Sequence, residues 1–226
     1  MRITKTCSIC GYQFTYDDKV FVSPFVEPHD DGARYYYNLW HYFVEKCPHC
    51  GYASKDISKV VNKDIIKDSW YEAVSDMPII NTLNKARPNR VADYLHAGIY
   101  YESIGNQLNY AKCMLQACDL VYNEMMYWDE YVLDSSNSLS AIQNKAQYNE
   151  FKKFADGLFV KGLSALEEYV TNNAQDIDAI ILLAGTLNTG DNFQKIKGAR
   201  YLSTLRKMPV TIAQRQAIEF LENRMN

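Results

Sequence analysis

Long apolar runs are missing from this chain of 226 residues. The longest, Ala179 to Gly185, falls far short of the roughly 20 residues that a bilayer-spanning helix needs, so no membrane role is expected. Missing too is an apolar stretch behind the polar start Met1-Arg2-Ile3-Thr4-Lys5-Thr6. A secretory leader is therefore not expected, and the cytoplasm is the expected location. A surplus of basic charge is missing: 24 Lys and Arg stand against 27 Asp and Glu, a net charge of −3. Affinity for phosphate backbones normally brings a basic surplus, so nucleic acid is not an expected partner. No glycine-rich phosphate loop occurs, and no Glu-x-x-His pair of a di-metal helical bundle. Four scattered histidines show no nucleophile spacing with Ser or Cys. With no catalytic motif in view, the expectation is a protein that is not an enzyme.

What is present starts with cysteine. Cys7-Ser8-Ile9-Cys10-Gly11-Tyr12 is echoed by Cys47-Pro48-His49-Cys50-Gly51-Tyr52. A C-x-x-C-G loop turns two sulfurs toward one point, and the glycine allows the backbone a positive φ. Two such loops supply four thiolates, the ligand set of a structural zinc ribbon, with Cys7, Cys10, Cys47 and Cys50 as the expected metal ligands. A four-thiolate zinc site is coordinatively closed, so it builds a fold and leaves no position for water or substrate. In a reducing compartment such pairs bind metal more often than they form disulfides. The interval between Cys10 and Cys47 exceeds the about 15–20 residues of a compact ribbon, so it must hold strands of its own.

Composition divides the chain in two, giving expected domains 1–56 and 57–226. In the first, Phe21 to Val26, Arg34 to Tyr37 and Tyr42 to Val44 are β-branched and aromatic, and read as two or three short strands. So small a β domain needs metal ligation to supply the missing folding free energy. From Ile57 onward turn signals thin out and helical spacing takes over. A first helix is expected from Ile57 to about Asp76, then a loop, then a helix opened by Arg87-Pro88-Asn89-Arg90 with Val91, Tyr94, Leu95, Gly98 and Tyr101 as its buried stripe. Gly105-Asn106 ends it. Longer helices follow at about 107–133 and 141–170, separated by the Ser135–Ser138 linker, with shorter ones at about 176–187, 192–207 and 210–224. The fold class is mainly α: a small zinc-ribbon β domain, then an all-helical domain.

Two resemblances sharpen this. Tyr100 to Asn106 with Ala111 and Ala117 resembles the helix-turn-helix of a tetratricopeptide repeat, with one extra residue in the turn; the regular 34-residue period is absent. Together, Cys7-x-x-Cys10-Gly11, Cys47-Pro48-x-Cys50-Gly51-Tyr52-Ala53, Arg87-Pro88 and Tyr101 to Gly105 resemble an uncharacterised bacterial family that joins an N-terminal zinc ribbon to a tetratricopeptide-like helical tail. That resemblance implies one Zn²⁺ per chain on Cys7, Cys10, Cys47 and Cys50, and a helical surface for a protein or peptide partner. It implies no reaction. Cys7 to Phe14 also resembles the first knuckle of rubredoxin, which makes a redox-active Fe the alternative metal.

Other residues admit plainer readings. His49 sits inside the second knuckle and is expected to face solvent, because four cysteines already fill the coordination sphere. His29 and His41 could serve only if a cysteine were displaced. Cys113 and Cys118 are five residues apart on a helix, about 140° around it, and are expected in the core. The aromatic group Tyr35, Tyr36, Tyr37, Trp40, Tyr42 and Phe43 reads as a small core and the seam to the helices; the alternative is an exposed stacking surface for a peptide or single-stranded nucleic acid, which would make nucleic-acid binding through the ribbon an alternative function. His96, Tyr100 and Asn106 are the expected partner-binding residues of a groove on the first helical hairpin.

Overall fold

A computed structural model describes residues 2–17, 44–59, 74, 76–86, 90–131 and 138–225. Among these, four short strands in two antiparallel sheets precede seven helices, as expected for a small β part followed by a helical one. The chain divides into two compact units, one running to Gly162 and the other continuing from Leu163.

In the first unit, strand β1 (Arg2–Thr6) pairs with β2 (Gln13–Asp17), placing Thr4 opposite Thr15 and Lys5 opposite Phe14. Ile3, Lys5 and Phe14 are half-buried while Thr4, Thr6 and Thr15 are exposed, the period-two alternation of a sheet with one covered face. Strand β3 (Glu45–Lys46) pairs with β4 (Ala53–Ser54). Each hairpin thus encloses one C-x-x-C loop. The strands expected within residues 18–43, with His29, His41 and the aromatic group, lie outside the described residues.

The helix expected from Ile57 begins instead as a turn. Asp56 accepts from both the backbone N–H (3.1 Å) and the hydroxyl (2.5 Å) of Ser58, and Ile57 is fully buried beside the knuckles. Most of the remaining span, residues 60–73, is outside the described residues. A second correction concerns 79–86, expected as a loop. Helix α1 (Pro78–Ala86) occupies it, with Ile80 and Leu83 buried at i and i+3. Pro78 opens this helix, since proline lacks only an N–H that the first turn leaves unbonded anyway.

Helix α2 (Val91–Ser103) buries the whole expected stripe, Val91, Tyr94, Leu95, Gly98 and Tyr101. At Gly105 the backbone turns with φ +69°, and α3 (Gln107–Tyr131) folds back along α2. The two approach closely: a Cβ on Gly98 would lie 2.3 Å from Met114 Cε. Helix α4 (Ser138–Asn172) adds Phe151, Ala155 and Leu158 to the core that Cys118, Val121 and Met125 enter from α3. Cys113 and Cys118 are buried core thiols, as expected, and burial raises both of their pKa values, that of Cys118 to about 12.

In the second unit, α5 (Ile177–Asn188) is buried from Ala179 to Leu187. Asp176 caps it by accepting from the Ala179 N–H at 3.0 Å. Helix α6 (Asn192–Leu205) starts with a capping box in which Asp191 accepts from the Gln194 N–H and the Gln194 side chain returns the bond. Thr211 and Gln214 repeat that exchange at the start of α7 (Ile212–Met225). Helix α5 packs on both α6 and α7.

Candidate metal centre

Both cysteine loops close with the same hydrogen bonds. Cys7 N–H donates to Tyr12 O at 2.9 Å, and Gly11 N–H donates back to Cys7 O at 2.9 Å. In the second loop Cys47 N–H donates to Tyr52 O at 2.8 Å, and Gly51 N–H to Cys47 O at 3.0 Å. Gly11 and Gly51 have φ of 73° and 75°, a left-handed turn that a side chain with a Cβ resists. The repeated glycine is thus the residue that lets each loop reverse and present two sulfurs on one side.

The two loops face each other. All four sulfurs of Cys7, Cys10, Cys47 and Cys50 lie within 4.8 Å of one another, so the cluster can hold a metal ion. Cys7 Sγ is 3.7 Å from Cys50 Sγ, and Cys10 Sγ is 3.7 Å from Cys47 Sγ. Each short contact joins the first cysteine of one loop to the second of the other. A metal–thiolate bond of about 2.3 Å in a tetrahedron sets neighbouring sulfurs about 3.8 Å apart. A disulfide would require about 2.05 Å. The spacing fits the edges of a tetrahedral tetrathiolate site, and the cysteines are free thiols.

The electrostatics point the same way. Burial raises the Cys7 thiol pKa. Cys50 is raised further, by burial first and then by the other three sulfurs, each of which opposes another negative charge nearby. Cys10 is the exception. Burial works to raise it, but the Tyr12 N–H and the Cys50, His49 and Cys47 side chains outweigh that and bring it to about 6. The Cys10 thiolate is favoured while those of Cys7 and Cys50 are resisted, burial first in both, and a cation at the centre would offset that cost.

Around the sulfurs, charged groups tie the loops together. Lys5 on β1 pairs with Glu45 on β3, and its ammonium lies 3.5 Å from Asp56. Glu45 also accepts from the Ile57 N–H at 3.2 Å. Ile57 O in turn accepts from Ser8, through its N–H at 2.9 Å and its hydroxyl at 2.8 Å. The segment leaving the second loop is therefore stitched across the first.

That assembly rests on α2. Tyr52 is fully buried with its ring edge-on to Tyr100, centroids 5.4 Å apart. The Lys55 N–H donates to the Tyr101 hydroxyl at 2.8 Å. The Arg90 guanidinium donates to Val44 O and to Asp93, and Lys46 reaches Asp93 at 3.0 Å. The sequence pointed to Tyr52, Arg90, Tyr100 and Tyr101 for other reasons and assigned none of them to this seam. The signal was the Gly-Tyr pair following each loop, but one motif has two fates. Tyr52 is buried against α2, whereas Tyr12 is 44% exposed and stacks on His49 at 5.2 Å. His49 is exposed, as expected of a spacer.

The expected groove residues are placed differently. His96 and Tyr100 are buried, Tyr100 in the seam with Tyr52, because α2 is covered on more sides than a two-helix hairpin alone would cover it. Asn106 is half-buried and caps α3, its side-chain oxygen accepting from the Asn109 N–H at 3.2 Å. The structure does not bring these three together on an open surface.

Among the described residues no helix is long and apolar enough to cross a membrane. No protein-family model, curated protein or solved structure matches the chain.

Proposed function

We propose that the chain is a non-enzymatic binding module in which a structural zinc ribbon organises a helical, tetratricopeptide-like protein-binding part. The observation that carries this is the four-sulfur cluster, two 3.7 Å contacts across two matching loops. Four thiolates complete a tetrahedron, so the metal has no open position for substrate and contributes folding free energy. The Tyr52, Lys55 and Arg90 contacts carry that order into α2. Metal loading thereby stabilises the start of the helical part, whose exposed helix faces are the surfaces left for a protein or peptide partner. Resemblance to the ribbon-plus-helical-tail family supports the same reading, as does the lack of a catalytic motif in the sequence.

The test is elemental analysis with a visible spectrum of the same sample. One zinc per chain, no colour, and loss of the metal in Cys47→Ser are expected. No metal bound by the wild type, even after reconstitution with zinc or iron, would overturn the reading.

One observation favours an iron centre as the second reading. Cys10 is exposed, which would bring an electron-carrying site to the surface. A red protein, reversibly bleached by reductant after anaerobic iron loading and unable to retain zinc, would select it.

A further inference from the structure

The segment from Asn192 to Val210 holds Lys195, Lys197, Arg200, Arg206 and Lys207 and no acidic residue, in a chain whose net charge is −3. Two of these cations are paired, Lys197 with Glu167 at 2.6 Å and Arg206 with Glu222 at 2.5 Å. The side chains of Lys195, Arg200 and Lys207 are exposed and have no ion pair among the described residues.

The same helix shows large apolar side chains to water. Phe193 is 76% exposed and Ile196 57% exposed. Phe193, Ile196 and Arg200 stand at i, i+3 and i+7, which puts them on one stripe about 10 Å long. The helix turns its other face inward: Gly198, Leu202 and Leu205 are buried, about 180° around from that stripe. So α6 has already buried one apolar face in its own unit and carries a second, mixed apolar and basic one outside. The capping box at Asp191 and Gln194 fixes the start of this helix, so the stripe is preorganised.

We propose that the outer face of α6 is a docking surface for an acidic amphipathic peptide segment, whose apolar side chains cover Phe193 and Ile196 and whose carboxylates meet Arg200 and Lys207. This rests on reading the helical part as a protein-binding module. Charge complementarity selects the partner. A carboxylate-bearing segment meets Arg200 and Lys207, which have no ion pair among the described residues, and its apolar residues remove Phe193 and Ile196 from water. A membrane surface fits less well. An interfacial helix inserts a wide apolar face, and here that face is spent inside the unit. A phosphate backbone would leave the two apolar side chains uncovered.

The experiment is selection from a phage-displayed random-peptide library on the full-length, metal-loaded protein. Enriched peptides are synthesised and titrated against wild type, Phe193→Ala, Ile196→Asp and Arg200→Glu. All three positions are exposed, and far-UV circular dichroism checks that each variant keeps its helices. The expected result is enrichment of peptides with paired apolar residues flanked by Asp or Glu, binding about tenfold or more weaker to each variant and weakening as salt rises. Enriched peptides without acidic bias, or binding all variants equally, would refute the α6 face while leaving peptide binding elsewhere. No enrichment would refute both this proposal and the wider protein-binding reading. Stronger α6-dependent binding to phosphatidylcholine–phosphatidylserine vesicles or to a single-stranded oligonucleotide would refute the acidic peptide as occupant.

Discussion

Two glycines five residues apart in α4 should respond differently to the same substitution. A Cβ built on Gly162 would lie 2.8 Å from Leu115 Cγ, 3.0 Å from its Cδ2 and 3.2 Å from the Ala111 carbonyl oxygen. Leu115 is itself buried, and the Ala111 oxygen belongs to the backbone of α3, so neither neighbour yields easily. A Cβ on Gly157 would meet nothing within 4 Å. Both replacements gain about 1 kcal/mol of helix propensity. Only Gly162→Ala also incurs an overpacking cost, of about 1–3 kcal/mol. Gly157→Ala should therefore stabilise by up to about 1 kcal/mol. Gly162→Ala should be neutral to destabilising by about 2 kcal/mol, and the two should differ by about 1–3 kcal/mol, with the propensity term cancelling. Urea unfolding followed by far-UV circular dichroism, with metal retained in both, measures the difference. Equal midpoints, or a more stable Gly162→Ala, would refute the close packing of α4 on α3.

Tyr101→Phe removes the acceptor for the N–H of the exposed Lys55 and should cost about 0.5–1.5 kcal/mol, the net worth of a typical hydrogen bond. Hydrogen exchange at Lys55 should quicken, and an unchanged rate would contradict the seam. Asp156 is held below the usual carboxylate range by the Lys152 ammonium and the Tyr122 hydroxyl, so its folded pKa lies below its unfolded one. The stability it contributes is present above the unfolded value and is lost as pH falls through the folded one. The melting-temperature deficit of Asp156→Asn should therefore be visible near neutral pH and fade as pH falls below the ordinary aspartate value of about 3.9. A deficit that persists in acid would contradict this. Cys113 and Cys118 should stay unreactive toward a disulfide reagent until denaturant is added, whereas chelation should release the other four thiols first. Six thiols reacting together in the native protein would exclude the buried placement.

Much of this was legible from local chemistry. The C-x-x-C-G loops are self-contained turns, so their glycines and cysteines announced the cluster before any tertiary contact was known. The α2 stripe was readable because it follows helical spacing, and the break after it was readable because Gly105-Asn106 marks it. Helix α1 was missed because Met77-Pro78 looks the same as the end of one helix or the start of the next, and only packing of Ile80 and Leu83 decides. His96 and Tyr100 were misplaced for a related reason. Spacing on α2 tells which residues share a face, but not that a second body, seated through Tyr52, covers another. The fates of Tyr12 and Tyr52 differ through long-range contacts alone, which an identical local motif cannot encode.

A closed tetrahedral site of four thiolates has a distinct signature in X-ray absorption at the metal edge of the purified protein. A first shell of four sulfur atoms at about 2.3 Å and no lighter neighbour is expected. A first shell containing nitrogen or oxygen, or fewer than four sulfurs, would contradict it, because the metal would then have an open or exchangeable position and a structural role would no longer follow.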